Sequence, residues 1–335
     1  MRIRLGGSSA TFENNSDILE QLKNHFEMMK TPKGNKLSDI SIKSYVSKLN
    51  RLSVLCKNKA FDDDGFLYNA DNVLKCLEKS DLKSKKDYIA AIVKYLSIGG
   101  PTEPSILKKY HTSMAEYKKK QTNERDENIA TEKNVQNSLS IKRILEKLKS
   151  YKITNLDELF NAVIVAFYFG NTENLIPRND LNVIKLITPA KSKSTLDPHF
   201  NYIVVNRGGF PEKIIMCAYK TAKTYGEQSF DMSPILKKLV FNYIKKTHKK
   251  PNDFLFTKRD GVTHYNPSTF ARIIENSMRE VIGKPINVDL VRQIVATTFY
   301  KNNPLASKKE KEDFAHRFLH SVSTNGEYMR KNLKI

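Results

Sequence analysis

The chain contains no tryptophan and only three cysteines, Cys56, Cys76 and Cys217, among 335 residues. An odd cysteine count without any Cys-x-x-Cys spacing excludes a disulfide framework and a cysteine zinc site, and it fits a reduced intracellular setting. Long apolar runs are missing as well. The longest, Ala162 to Phe169, is far short of the ~20 residues that a membrane span needs, so no membrane partner is expected. The opening residues Met1-Arg2-Ile3-Arg4-Leu5-Gly6-Gly7 show no apolar stretch of a secretory signal. No P-loop, His-Glu-x-x-His, Gly-x-Ser-x-Gly or metal-ligand cluster occurs, so neither a cofactor nor a metal is expected.

Acidic residues are scarce. There are 36 Asp and Glu against 57 Lys and Arg, a formal net charge of +21. Charge of this size is silent on fold but predicts a polyanionic partner, most commonly nucleic acid. Lys and Arg that neutralise phosphates release counterions, which makes such binding strong and salt-dependent. Lysine runs such as Lys118-Lys119-Lys120 are read as solvated surface or as a nuclear signal.

What is present is globular: 39 % apolar residues with ordinary Gly and Pro content, enough for a sizeable core and for two domains. Residues 1–15, with Gly6, Gly7, Asn14 and Asn15, read as a flexible start. Ser16-Asp17 offers a helix cap, and Thr31 to Gly34 a break. Ile42, Tyr45, Val46, Leu49, Leu52 and Leu55 recur at three and four residues, the stripe of an amphipathic helix beginning at Ser38 or Asp39. Further helices are predicted over Asp71–Lys79, Ser84–Ser97 and Ser105–Lys120, so residues 16–120 form a helical unit. The polar stretch 121–137 reads as an extended tether.

Residues 138–335 form a second unit. Helices are predicted over Ser140–Lys149 and Leu156–Tyr168. Then the period changes: Asn201–Asn206, Lys213–Tyr219 and Gln228–Ser233 read as three strands, with turns at Gly208-Gly209 and Thr224-Tyr225-Gly226. Helices resume over Pro234–Thr247, Ser268–Ile282, Val288–Tyr300 and Lys308–Leu319. The expected fold class is mainly α with a small antiparallel β-sheet (α+β).

Four short segments carry candidate chemistry: Pro177-Arg178-Asn179-Asp180, Tyr219-Lys220-Thr221-Ala222-Lys223, Asp289-Leu290-Val291-Arg292, and Leu319-His320-Ser321 followed by Tyr328. Arginine presents a planar fork to two phosphate oxygens and stays charged. Lysine can protonate a leaving oxygen, and tyrosine can act as a covalent nucleophile. A free phenol sits about three pH units above neutral, so forming phenolate costs roughly 4 kcal/mol that neighbouring cations must offset.

In order and approximate spacing these segments resemble the catalytic boxes of the tyrosine recombinase/integrase family, in the Pro-Arg-x-Asp form of its viral and mobile-element branch. The first unit resembles the family's core-binding domain through Ile42-Lys43-Ser44-Tyr45 to Leu55 and Tyr88-Ile89-Ala90-Ala91-Ile92. The resemblance covers about residues 16–335. It implies that Tyr328 attacks a DNA phosphate to give a 3′-phosphotyrosyl link, with Arg178 and Arg292 on the non-bridging oxygens and His320 beside them. Lys220, or alternatively Lys223, protonates the 5′-oxygen, and the link conserves bond energy, so ATP and metal are not required. It also implies double-stranded DNA gripped by both domains, a tetramer on two duplexes, and an intracellular location (nucleus or viral factory in a eukaryotic host, otherwise cytoplasm).

Three departures stand out. Asp289 occupies the usual histidine place, and an ionised carboxylate cannot donate to phosphate. Leu319 stands for glycine. Tyr328 follows His320 by eight positions, about one fewer than in many members. Few residues follow it, which suggests assembly through another surface or cleavage across protomers. A type IB topoisomerase-like relaxation activity and a non-catalytic DNA-binding protein of the same fold remain alternatives.

Overall fold

The computed structural model describes residues 14–29, 34, 36–97 and 103–335. The expectations for residues 1–13 and for the break at 31–33 lie outside these. The chain divides into two compact units, Met1–Glu127 and Asn128–Ile335.

The described part of the first unit is helical: α1 (Asn14–Glu27), α2 (Asp39–Lys57), α3 (Ala70–Cys76), α4 (Leu82–Leu96) and α5 (Pro104–Asp126). Local chemistry sets the starts. Ser38 Oγ accepts the Ser41 amide ahead of α2, and Asp81 accepts the Ser84 amide ahead of α4, satisfying donors that a helix start leaves open. The striped positions then meet: Leu49 and Leu52 of α2 are fully buried with Phe26, Val73, Ile89 and Ile92. Tyr110 of α5 donates its hydroxyl to the Leu67 carbonyl at 2.8 Å, so its polar end is satisfied in the same core.

The stretch expected as an extended tether is mostly helical. α5 continues to Asp126, and α6 (Glu132–Asn137), capped by Thr131, follows after five residues. Lys, Gln, Glu and Arg are strong helix formers, and polarity alone does not unwind them.

The second unit is built around α8 (Leu156–Val165), opened by a reciprocal capping box between Asn155 and Glu158. It runs on as a π-helical turn over Ala166–Gly170, and Ala162 to Phe169 are all buried. α7 (Ile141–Ser150), α10 (Pro234–Thr247) and α11 (Pro267–Ile282) pack around it, with α12 (Val288–Asn302), α13 (Lys308–Arg317) and the short α14 (Val322–Gly326) completing the helices. The sheet has four strands in the order β1 (Ile184–Ile187), β2 (Asn201–Val205), β3 (Pro211–Met216), β4 (Gln228–Asp231).

The fold class is as expected, mainly helical with a small sheet, but the sheet is mixed. β1 pairs with β2 in parallel, and the other two pairs are antiparallel. The fourth strand escaped the sequence because Ile-Lys-Leu-Ile is only four residues long and directly follows a turn. All of β2 is buried: Ile203 and Val205 face the main core, while Tyr202 and Val204 join a second apolar layer with Ile187, Leu196 and Ile215. A one-turn helix, α9 (Ala222–Tyr225), lies in the β3–β4 connection. No helix among the described residues is long and apolar enough to cross a membrane.

Candidate functional site

Arg178 lies on the turn after the π-helical end of α8, just before a 3₁₀ turn at Asn179–Val183. Its own carbonyl is held by the buried Tyr168 hydroxyl at 2.6 Å, which fixes where the guanidinium starts. Arg292 comes from the second turn of α12, whose start is capped by Asn287. It is only 2 % exposed. Its Nη1 donates to the Ile176 carbonyl at 2.8 Å, and its Nη2 donates to the Phe318 carbonyl at 3.1 Å. The Ile176 amide in turn donates to the Arg317 carbonyl at 2.8 Å. Arg292 thus ties together the segment that carries Arg178 and the segment that carries His320.

His320 completes the group. Arg178 Nη2 donates to its Nε2, and Arg292 Nη2 lies 3.1 Å from the same nitrogen. Burial, then Arg292, Arg178 and Lys220, push the imidazole down to about 3, so it is neutral at physiological pH and can accept on the nitrogen that faces the arginines. Burial also lowers Arg292 to about 10. Asp180 is raised to about 6 by burial, against the pull of Arg178 and Arg292. Two guanidinium groups crowded beside a neutral imidazole and one reluctant carboxylate make an electropositive pocket, and an anion entering it offsets the repulsion between the arginines.

Tyr328 is half-buried at the same place. Its ring stacks on His320 with centroids 5.7 Å apart, and the Arg292 guanidinium lies 5.0 Å from its centre and 4.7 Å from that of Phe318. Beneath it runs a column of rings, Phe318 from the turn after α13, Phe314 from α13 and Phe299 from α12. Aromatic packing of this kind limits ring motion.

The turn before His320 explains one departure in the motif. Leu319 has φ +56°, the left-handed region that glycine enters freely and other residues enter at a cost. The glycine-type backbone persists without glycine because the Leu319 side chain is buried in the core, and its carbonyl accepts the Thr221 hydroxyl at 2.8 Å. That bond ties the β3–β4 connection to the His320 turn.

Of the two candidate lysines, Lys220 is exposed yet close enough to depress His320, while Lys223 is exposed on α9. Asp289 is exposed at the start of α12, and its carboxylate accepts from Gln293 Nε2 at 2.7 Å. The structure therefore gathers Arg178, Arg292, His320 and Tyr328, with Lys220 at the edge, and leaves Asp289 engaged with Gln293. Asp180 and Tyr168 belong to the neighbourhood as well. Asp180 was readable from the Pro-Arg-x-Asp segment, whereas Tyr168 was hidden in an apolar run. No group of three or more His, Cys, Asp or Glu among the described residues is placed to hold a metal ion.

No protein-family model matches the sequence, and no curated protein matches it. Among solved structures, the chain is similar to a XerA recombinase at 16 % sequence identity. The alignment covers 95 % of this chain and 94 % of that one, with a TM-score of 0.38. What the site can do rests on its own geometry.

Proposed function

We propose that the protein is a DNA strand transferase of the tyrosine-recombinase type, acting on double-stranded DNA. The observation that carries this reading is the convergence of Arg178, Arg292, His320 and Tyr328, up to 150 positions apart in the chain, on one electropositive site. The Tyr328 hydroxyl attacks the scissile phosphorus, and its proton passes to solvent at the partly exposed site. A 3′-phosphotyrosyl bond forms, and the bond to the 5′-oxygen breaks. Arg178 binds the non-bridging oxygens where charge builds up, and Arg292 adds its charge from beneath. Lys220 protonates the departing 5′-oxygen. Attack by a 5′-hydroxyl from another duplex reverses these steps and joins new strands, in a tetramer on two duplexes. The +21 charge supports both units contacting phosphates.

A second reading has one observation in its favour. Both terminal nitrogens of Arg292 are already engaged by backbone carbonyls, as suits a non-catalytic DNA-binding protein of this fold. Incubation with nicked suicide duplexes of randomised sequence separates the two. The strand-transferase reading expects a covalent protein–DNA adduct that Tyr328→Phe abolishes. Duplex binding without any adduct selects the non-catalytic reading.

A further inference from the structure

We infer that Asn332 is a positioning residue for Tyr328, clasping residues 331–334 to the stretch 128–138 through which the chain enters its second unit. The inference rests on the reading of Tyr328 as nucleophile. Asn332 engages both backbone polar groups of one residue: its Oδ1 accepts the Ala130 amide at 2.7 Å, and its Nδ2 donates to the Ala130 carbonyl at 3.1 Å. The Lys331 amide donates to the Asn128 carbonyl at 2.7 Å, and the Lys334 amide to Ser138 Oγ at 3.0 Å. Leu333 and Ala130 are both buried in the main core, so each side of the clasp is anchored by apolar burial as well as by polar pairing.

On the other side, Tyr328 is fixed through α14. Its amide donates to the Asn325 carbonyl at 3.1 Å, and Asn325 is fully buried against the Tyr300 hydroxyl. The Arg330 amide donates to Thr297 Oγ1 at 2.9 Å. Tyr328 therefore sits on a short span with both ends tied down, and Asn332 makes the bidentate tie at one end.

The same stretch reaches the helix of Arg292. Asn134 Nδ2 donates to Gln293 Oε1 at 3.0 Å, and Gln293 Nε2 donates to Asp289. One connector thus holds the nucleophile segment and, through Gln293, the neighbour of Arg292. This gives Asp289 a use that needs no contact with phosphate. The chain crosses between its compact units at Glu127–Asn128, so the clasp grips the residues immediately after that crossing.

Hydrogen–deuterium exchange on the full chain tests the clasp without DNA. Asn332→Ala is expected to speed amide exchange across 322–330 by about tenfold, the effect of losing one or two hydrogen bonds, with β2 and β3 unchanged. Asn332→Asp keeps the acceptor for the Ala130 amide but loses the donor, and is expected to fall between. Ser277→Ala removes a buried bond to Asn161 elsewhere in the unit and serves as the stability control, leaving 322–330 as in the wild type. On the nicked duplexes, Asn332→Ala is expected to slow adduct formation by about tenfold at unchanged duplex affinity. Exchange that rises equally in β2 and β3, or that does not rise in 322–330, overturns the inference. A wild-type chain that forms no adduct sinks the nucleophile reading instead, and the exchange result alone then decides whether Asn332 holds the segment.

Discussion

Arg178 and Arg292 are the same residue type, converge on the same imidazole, and are held in opposite ways. Arg292 is fully enclosed, with its fork on two backbone carbonyls and its Nε buried without a hydrogen-bond partner. Arg178 is half-buried, its backbone pinned by Tyr168 and its guanidinium donating to His320. The difference separates two tasks. One arginine fastens the segments of the site together from beneath, and in the proposed strand transfer the other, half-buried, is the guanidinium that meets the phosphate. Replacing each in turn is the sharpest test. Arg292→Ala strands the Ile176 and Phe318 carbonyls in a dry core, and is expected to cost about 3–5 kcal/mol in a denaturant melt. Arg178→Ala is expected to stay within about 1 kcal/mol of the wild type, yet to lower the salt dependence of duplex binding by about one counterion. Equal stability losses for the two would erase the distinction.

The same comparison extends to the turn between Phe318, which Arg292 holds, and His320, which Arg178 reaches. Leu319 there combines a left-handed backbone with a buried side chain. Truncation to alanine leaves the backbone strain and opens a cavity, with an expected loss of about 2–4 kcal/mol. Truncation to glycine opens the same cavity but relieves the strain, and is expected to be about 1 kcal/mol less damaging than alanine. That reverses the usual order of the two residues. Glycine more harmful than alanine in thermal melts would show that the φ of Leu319 carries no penalty.

How much of this was legible in the sequence follows from the range of each interaction. The stripe of α2, and the helices expected over Ser84–Ser97, Val288–Tyr300 and Lys308–Leu319, were readable because three-four spacing acts within a few residues. The boxes around Arg178, Arg292, His320 and Tyr328 were readable as motifs. β1 was not, because four residues give too short a pattern and its partner strand lies beyond a 13-residue loop. α6 was hidden by its polarity. The work of Arg292 was illegible for a different reason: its bond to the Ile176 carbonyl spans 116 positions, and nothing local in Val291-Arg292-Gln293 marks it as a strut. Asp289 shows the converse limit. The motif pointed to its position, while its partnership with Gln293, and through Gln293 with Asn134, depended on packing.

The smallest expected effect concerns protons, and here His320 and Asp180 oppose one another. The imidazole is held at about 3 in the folded protein against an ordinary value of 6.5. Between those values the unfolded chain binds the extra proton, so this group's contribution to stability is lost as pH falls from about 6.5 towards 3. The Asp180 carboxyl is held at about 6 against an ordinary value of 3.8. Between those values the folded state keeps the proton, so its contribution is lost as pH rises from about 4 to 6. Over that shared window the two slopes have opposite sign and largely cancel. Asp180→Asn removes one of them. The variant should therefore lose stability relative to the wild type as the pH is lowered from 6 to 4, with a slope difference of at most about 1.4 kcal/mol per pH unit. Parallel wild-type and Asp180→Asn stability curves across that range would mean that burial does not hold the carboxyl above its ordinary range against the pull of Arg178 and Arg292.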